Sequence, residues 1–294
     1  MGGGRHRPRP LDRGVGSKPV HHPQGRLNHG AKLVPTPVTP TVRIISRPNL
    51  DRDELDRYLA EIGGQDWTAQ RTEYNDTQDL VEVAGRTCYR SWAPGLNPNV
   101  TRVRTDPDAY LGNIVAHRHG SVLEHAQYTF VLQNVSRVFT HEWVRHRQGV
   151  AISQESLRYV RLTDLPFWYP EWAQNDADLV SRGQQVLTAL EDFQAWMADH
   201  FQLDAPGVLF HEKKAKTSFM RRFAPEGLAT VLVWSANIRT LRHVVESRTD
   251  EGAEEEVRLV ANQIGELMAT EVPALFADYV IDDTGAWLTT NRKV

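Results

Sequence analysis

The stretch HEWVRHRQGVAISQESLRYV, residues 141–160, carries the densest chemistry in the chain. Arg145, His146 and Arg147 stand together at the expected end of a helix running through VSRVFTHEWVRHR, where cations complement the negative pole of the helix dipole. A polar loop is expected next, with Ser153, Gln154, Glu155, Ser156 and Arg158. A guanidinium fork, a serine hydroxyl and loop N–H groups together make a cradle for a phosphate dianion. A solvated basic helix end has the same residue types, so residue chemistry alone leaves both readings open.

Outward from this stretch, helical and extended signals alternate without a steady βαβ rhythm, which favours an α+β fold. TVRIIS, from Thr41, is a short strand, and DRDELDRYLAEI (51–62) is a helix with Leu55, Leu59 and Ile62 at helical spacing. A further helix begins near Asp76, and Asp106-Pro107 is a helix start. YTFVL (128–132) and ATVLVW (229–234) are strands, and a long amphipathic helix runs from Asp176 to about His200. The last helix, EEEVRLVANQIGELMATE, shows apolar positions at Val257, Val260, Ile264 and Leu267. In the helix from about Asn237, Ile238, Leu241, Val244 and Val245 form one stripe at about 100° per residue. Arg248 projects into that stripe, while Arg239, Arg242, His243 and Glu246 fall on the opposite face. A buried Arg needs an anion or a strong acceptor; a structural salt bridge, or snorkelling from the helix end, is the alternative.

The chain has 294 residues, 40% of them hydrophobic and 24% charged, enough for a sizeable core in one large domain or two small ones. A net charge of -3 argues against a general nucleic-acid binder, so any anionic ligand must be held by a local cluster of Arg and Lys. No apolar run approaches the ~20 residues of a membrane span, and the N-terminus lacks the apolar segment of a secretory signal. A cytoplasmic location is expected. One cysteine, Cys88, excludes an internal disulfide or a CxxC metal knuckle. Residues 1–40, rich in Gly, Pro, Arg and His, are expected to be a disordered tail or a basic arm.

Arg145-His146-Arg147 followed by the Ser-Gln-x-Ser-x-Arg-Tyr loop (153–159) resembles the signature motif of the ThyX family, the flavin-dependent thymidylate synthases. VSRVFTHEWV is similar to that family's lead-in helix. The spacer between Arg147 and Ser156, Gln148 to Glu155, is one residue longer than the family commonly has. AGRTCYRS (84–91) resembles a flavin-contact segment, with Cys88 where Ser is frequent, and HGSVLEHAQYTF (119–130) one in which His119 and Ser121 bind flavin. MRRFAPEG (220–227) matches a segment with a phosphate-binding Arg, here Arg221. NIRTLRHVVESRTD (237–250) resembles the helix that ends in an essential Arg, here Arg248, with His243 where Asn is common.

The resemblance covers about residues 41–280 and implies a mixed sheet flanked by helices, assembled as a homotetramer with sites shared between subunits. It implies FAD as cofactor, NADPH as reductant, methylenetetrahydrofolate as carbon donor, and dUMP or UMP as the nucleotide methylated at C5. The UMP reading belongs to a specialised branch of nucleoside antibiotic biosynthesis. Arg248 would activate the uracil. Arg145, Ser156, Arg158 and Arg221 would hold the phosphate, Glu142 and Gln154 would position ribose or base, and Leu157 is a further substrate contact. Flavin contacts would be Cys88, His119, Ser121, Arg145, His146, Arg147, Gln154, Asn237, Arg239 and His243. The uracil is then activated by polarisation, and Cys88 is taken as inert packing rather than a nucleophile.

Other signals carry less. His117, His119, Glu124 and His125 are spaced as H-x4-E-H, which fits no zinc-protease motif, so no metal is assigned. KKAK (213–216) is expected to be a solvated helix face, the alternative being a contact to a phosphate or a pterin glutamate tail, and Trp143 and Tyr159 are core-packing aromatics before they are stacking platforms. No Gly-rich dinucleotide fingerprint is present. A catalytically silent nucleotide- or RNA-binding protein is the competing class.

Overall fold

A computed structural model describes residues 37–69, 75–162, 164–292 and 294. The tail expected over 1–40 lies outside the described residues up to position 36. Residues 37–40 are bonded to the fold. Val38 N–H donates to the Phe167 carbonyl at 3.0 Å. Asn134 Nδ2 donates to Thr39 O at 3.2 Å and Gln263 Nε2 to Pro40 O at 3.1 Å.

Four strands, β1 (Thr41–Ser46), β2 (Gln127–Ser136), β3 (Val150–Gln154) and β4 (Ala229–Asn237), form an antiparallel sheet in the order β1-β2-β4-β3. β5 (Val280–Ile281) and β6 (Trp287–Leu288) make a small separate hairpin. The helices are α1 (Arg52–Ile62), α2 (Asp66–Ala69), α3 (Asp76–Tyr89), α4 (Pro107–Ala116) and α5 (Arg137–Trp143). They continue as α6 (Glu171–Gln174), α7 (Ala177–His200), α8 (Phe210–Met220), α9 (Ile238–Arg248) and α10 (Glu255–Glu271). No helix of the described residues is long and apolar enough to cross a membrane.

The period-2 alternation of strands sends Tyr128, Phe130 and Leu132 of β2, and Leu232, Trp234 and Ala236 of β4, into one core. Phe130 pairs with Trp234 across the ladder, their rings 5.7 Å apart, and Trp143 of α5 meets Trp234 edge-on at 5.1 Å. Val244 and Val245 of α9 and Val257, Val260 and Ile264 of α10 close the same cluster.

β2 and β4 each turn directly into a helix. Ser136 is both the last residue of β2 and the N-cap of α5, its Oγ accepting from Phe139 N–H. Asn237 does the same for β4 and α9, accepting from Thr240 N–H. Ser136 pairs with Ala229 and Gln127 with Asn237, so the two corners lie at opposite ends of the ladder. The helices leave from those ends and meet where Arg248 touches Glu142.

Three expectations are corrected. Residues 150–154 are an edge strand rather than part of a polar loop: β3 pairs with β4 from Val150↔Ala236 to Gln154↔Leu232. Val150 and Ile152 face the core, but the run is too short and too closely followed by polar residues for periodicity to show it. The helix expected through Arg147 covers only Arg137–Trp143, because Val135 and Ser136 belong to β2 and a turn follows Trp143. Arg242 does not lie on an open polar face. It is 1% exposed, donates to both Asp278 oxygens at 2.8 Å and to the Leu275 carbonyl, and has the Tyr279 ring at 4.7 Å. The segment after α10 thus covers a second side of α9.

Burial works against the Asp278 charge, yet bonds from Arg242, Thr289 and Asn291 hold its carboxyl down at about 2. Asp278→Ala leaves the Arg242 cation buried and unpaired, so stability in urea unfolding should fall by about 3 kcal/mol. An unchanged unfolding midpoint would show that water reaches Arg242.

Candidate functional site

Arg248 ends α9, and its side chain is 24% exposed. Its Nε donates to His146 Nε2 at 2.8 Å, and its Nη1 stands 3.5 Å from Glu142 Oε2. Burial, then the charges of Arg248 and His243, push the His146 ring down to about 4. It is therefore neutral at pH 7 and accepts through Nε2, which places the ring proton on Nδ1. Trp143 meets the ring edge-on at 5.9 Å, and His243 at 6.1 Å. A neutral imidazole orients the guanidinium without cancelling its charge, and Glu142 is only at the limit of bonding distance. The result is a fixed cation with charge to spare.

A second group surrounds an open pocket of about 280 Å³ lined by Arg137, Leu157, Ser218, Arg221 and Arg222. No carboxylate lines it. Arg137 is held below the usual guanidinium range by burial and by the neighbouring Arg221. Its Nη1 is buried without a hydrogen-bond partner among the described residues. Two facing guanidinium groups with an unmet donor are matched by an anion that enters between them. The Leu157 side chain comes from the Ser156–Arg158 turn, where Arg158 N–H donates to Ser156 Oγ at 3.4 Å. Thr217 Oγ1 of α8 donates to the Arg158 carbonyl at 2.7 Å, pinning that turn beside the pocket. Leu157 and Arg221, both named from the sequence, line this same pocket. Arg137 and Ser218 escaped the sequence reading, because the first residue of a short helix and a Ser in a basic run look like ordinary surface positions.

The turn after α5 is fixed against the start of α9. Thr240 Oγ1 donates to the Gln148 carbonyl at 2.7 Å, and Asn237 N–H to the Gly149 carbonyl at 3.2 Å. Gly149 has φ +65°, and a Cβ there would lie 2.2 Å from Asn237 Nδ2. Arg145 and Arg147 project exposed from this turn. Gln154 Nε2 donates to Thr140 Oγ1 at 3.2 Å, tying β3 to α5. Elsewhere, Arg239 Nη1 pairs with Glu124 Oε1 at 2.5 Å, and a Cβ on Gly120 would meet Arg239 Nε at 2.8 Å. His119 stands edge-on to Tyr89, their rings 5.8 Å apart, and Ser121 is exposed. Cys88 is exposed and free, which corrects its reading as buried packing.

The His146 ring yields a pH prediction. Its folded value of about 4 lies below the ordinary 6.5, so the unfolded chain binds the proton more readily between those limits. This residue's effect is that stability falls as pH drops through that window. His146→Gln should show a shallower dependence of Tm on pH from about 6.5 to 4 than the parent chain; equal slopes would mean the ring titrates normally.

The family model described as thymidylate synthase complementing protein matches residues 71–274. The flavin-dependent thymidylate synthase of Mycobacterium tuberculosis (strain ATCC 25618 / H37Rv) is 35% identical over 224 residues, covering 73% of this chain and 83% of that protein. The enzyme of the same name from Mycobacteroides abscessus is 33% identical over 224 residues, covering 74% and 84%. Among solved structures, the UMP/dUMP methylase PolB from Streptomyces cacaoi bound with 5-Br UMP shares the fold. Its TM-score is 0.51 at 17% identity, covering 80% of this chain and 91% of that one. The chain belongs to the thymidylate synthase complementing protein family, the family of the flavin-dependent thymidylate synthases.

Proposed function

We propose that the chain methylates C5 of a uracil nucleotide, dUMP or UMP, in a flavin-dependent reaction with methylenetetrahydrofolate as carbon donor and NADPH as reductant. The observation that carries this reading is the Arg248 guanidinium, oriented by neutral His146 and left with charge to spare. Beside the O2–N3–O4 edge of a uracil, that cation stabilises the negative charge that must develop on the ring before C5 attacks an electrophilic carbon. His146 fixes its direction, and Glu142 limits how far it swings. The nucleotide phosphate enters between Arg137 and Arg221, with Ser156, Arg158 and Ser218 as further donors and Leu157 as the apolar floor. Gln154 and Arg145 reach the ribose and base from the two sides of the turn.

Residues that would hold FAD are His119, Ser121, Arg147, Asn237 and Arg239, with Cys88, His146, His243, Arg145 and Gln154 at the margin. The donor set fits a dinucleotide: exposed Arg147 and Ser121 offer charge and hydroxyl to a diphosphate, and the carboxylate nearby, Glu124, is already paired with Arg239. When bound, FAD supplies hydride chemistry that no side chain of this chain could provide. The catalytic domain is taken as residues 41–290. Its assembly is taken as a homotetramer in the cytoplasm, which would let exposed Arg145 and Arg147 face a neighbouring subunit's ligand.

The test is turnover of dUMP and UMP, each with reduced flavin and methylenetetrahydrofolate, read by mass of the methylated nucleotide. Product from either supports the reading; none from both, or a colourless protein without flavin absorption, favours the silent binding class. Arg248→Ala should lower the rate by ~10²–10³ while FAD stays bound. Arg137→Ala should raise the nucleotide KM by about tenfold or more with a smaller change in kcat, the signature of a lost ground-state contact to charge.

A further inference from the structure

Glu256, on the first turn of α10, is 1% exposed, and among the described residues no cation pairs with it. Both of its oxygens are spent on one residue. Ser136 N–H donates to Oε1 at 2.6 Å, and Ser136 Oγ bonds Oε2. Burial pushes the carboxyl up to about 7, the Ser136 bonds pulling the other way and the Glu254 charge adding to the rise. A carboxylate raised in this way costs stability as pH climbs from its ordinary 4.5 towards 7, because the folded chain then holds the proton more tightly than the unfolded one. Packing alone gives no reason for an ionisable group here; an apolar or amide side chain would avoid that cost.

What the carboxylate does is fix a hydroxyl. Ser136 Oγ has one proton and must also accept the Phe139 N–H at 3.0 Å to cap α5. With its proton directed to Glu256, its lone pairs are left for the helix. α5 is a short helix, and the turn following it carries His146, so a small swing at its cap moves Glu142 and His146 relative to Arg248. The far end of α5 is watched from the same place: Glu254, the N-cap of α10, is close enough to Glu142 to feel its charge.

We propose that Glu256 is a positioning residue which, through the Ser136 cap, sets the direction in which α5 leaves the sheet and so aligns Glu142 and His146 with Arg248. Its catalytic consequence rests on the proposed function; its structural consequence does not. In Glu256→Gln the amide can accept from Ser136 N–H, but its NH₂ then faces Oγ and strands the hydroxyl proton without an acceptor. Ser136→Ala removes the same link from the other side.

The experiment compares the full chain with Glu256→Gln, Ser136→Ala and the double variant. It reads hydrogen exchange of the 137–147 peptide, Tm at pH 8, and kcat and KM with dUMP and UMP. Both single variants should exchange about tenfold faster across 137–147, with the 238–248 peptide unchanged. Glu256→Gln should melt no lower than the parent at pH 8, yet lose about tenfold in kcat/KM, and the double variant should be no worse than either single. Parental exchange and kinetics in Glu256→Gln, or additive losses in the double variant, overturn the proposal. If Glu256→Gln does not fold, Glu256→Asp, whose carboxylate stops one methylene short of the Ser136 hydroxyl while the cap residue stays in place, decides by the same exchange readout. If the parent turns over neither nucleotide, the functional reading fails, and exchange still judges the clamp.

Discussion

The pairing of β2 with β4 governs the arrangement of everything chemical in this chain. An antiparallel ladder forces its two strand-to-helix corners to opposite ends, and the helices that leave them must approach each other over the shared face. Phe130 against Trp234, with Trp143 edge-on, fills the space beneath that approach and leaves little freedom for it to change. The contact of Arg248 with His146 and Glu142 is therefore a consequence of sheet register. A slip of one residue in β4 would turn Trp234 outward and carry the start of α9 away from the Gly149 turn.

Charge is distributed on the same scaffold with deliberate imbalance. Arg242 is paired with Asp278, Arg86 with Glu82 and Arg239 with Glu124. Arg248 has a neutral histidine and a single long contact, 3.5 Å, to the Glu142 carboxylate, and Arg137 faces another arginine. In a chain whose formal net charge is negative, these two places stand out because the cations there were left without equal partners. Such local excess attracts a small dianion without making the whole surface basic.

Much of this was legible in the residues, and the exceptions share one cause. Helix starts at Asp51, Asn75, Asp106 and Asp176 are signalled by side chains that cap their own helix, a local property that sequence displays directly. Arg248 was visible because it breaks an apolar stripe. The family motif identified the Arg145–Arg158 region, and the described structure brings Leu157 and Arg221 to one pocket. Arg242 was misread because its partner comes from a segment 36 residues on, beyond any helical period. β3 was missed because an edge strand of five residues draws its identity from the neighbour it pairs with. Arg137 was missed for the same reason: its meaning lies in Arg221, on a distant part of the chain.

The locked Gly149 turn bears on the extra residue between Arg147 and Ser156. Upstream, the carbonyls of Gln148 and Gly149 are tied to α9, and no side chain fits at Gly149. From Val150 to Gln154 every residue is in register with β4, and Glu155 N–H still donates to the Val231 carbonyl at 3.1 Å. Slack in this thread can gather only past that last stitch, at Ser156 and beyond. The turn that borders Arg137 and Arg221 therefore hangs from a fixed edge strand, and its own residues, from Ser156 on, are the ones free to reshape that border.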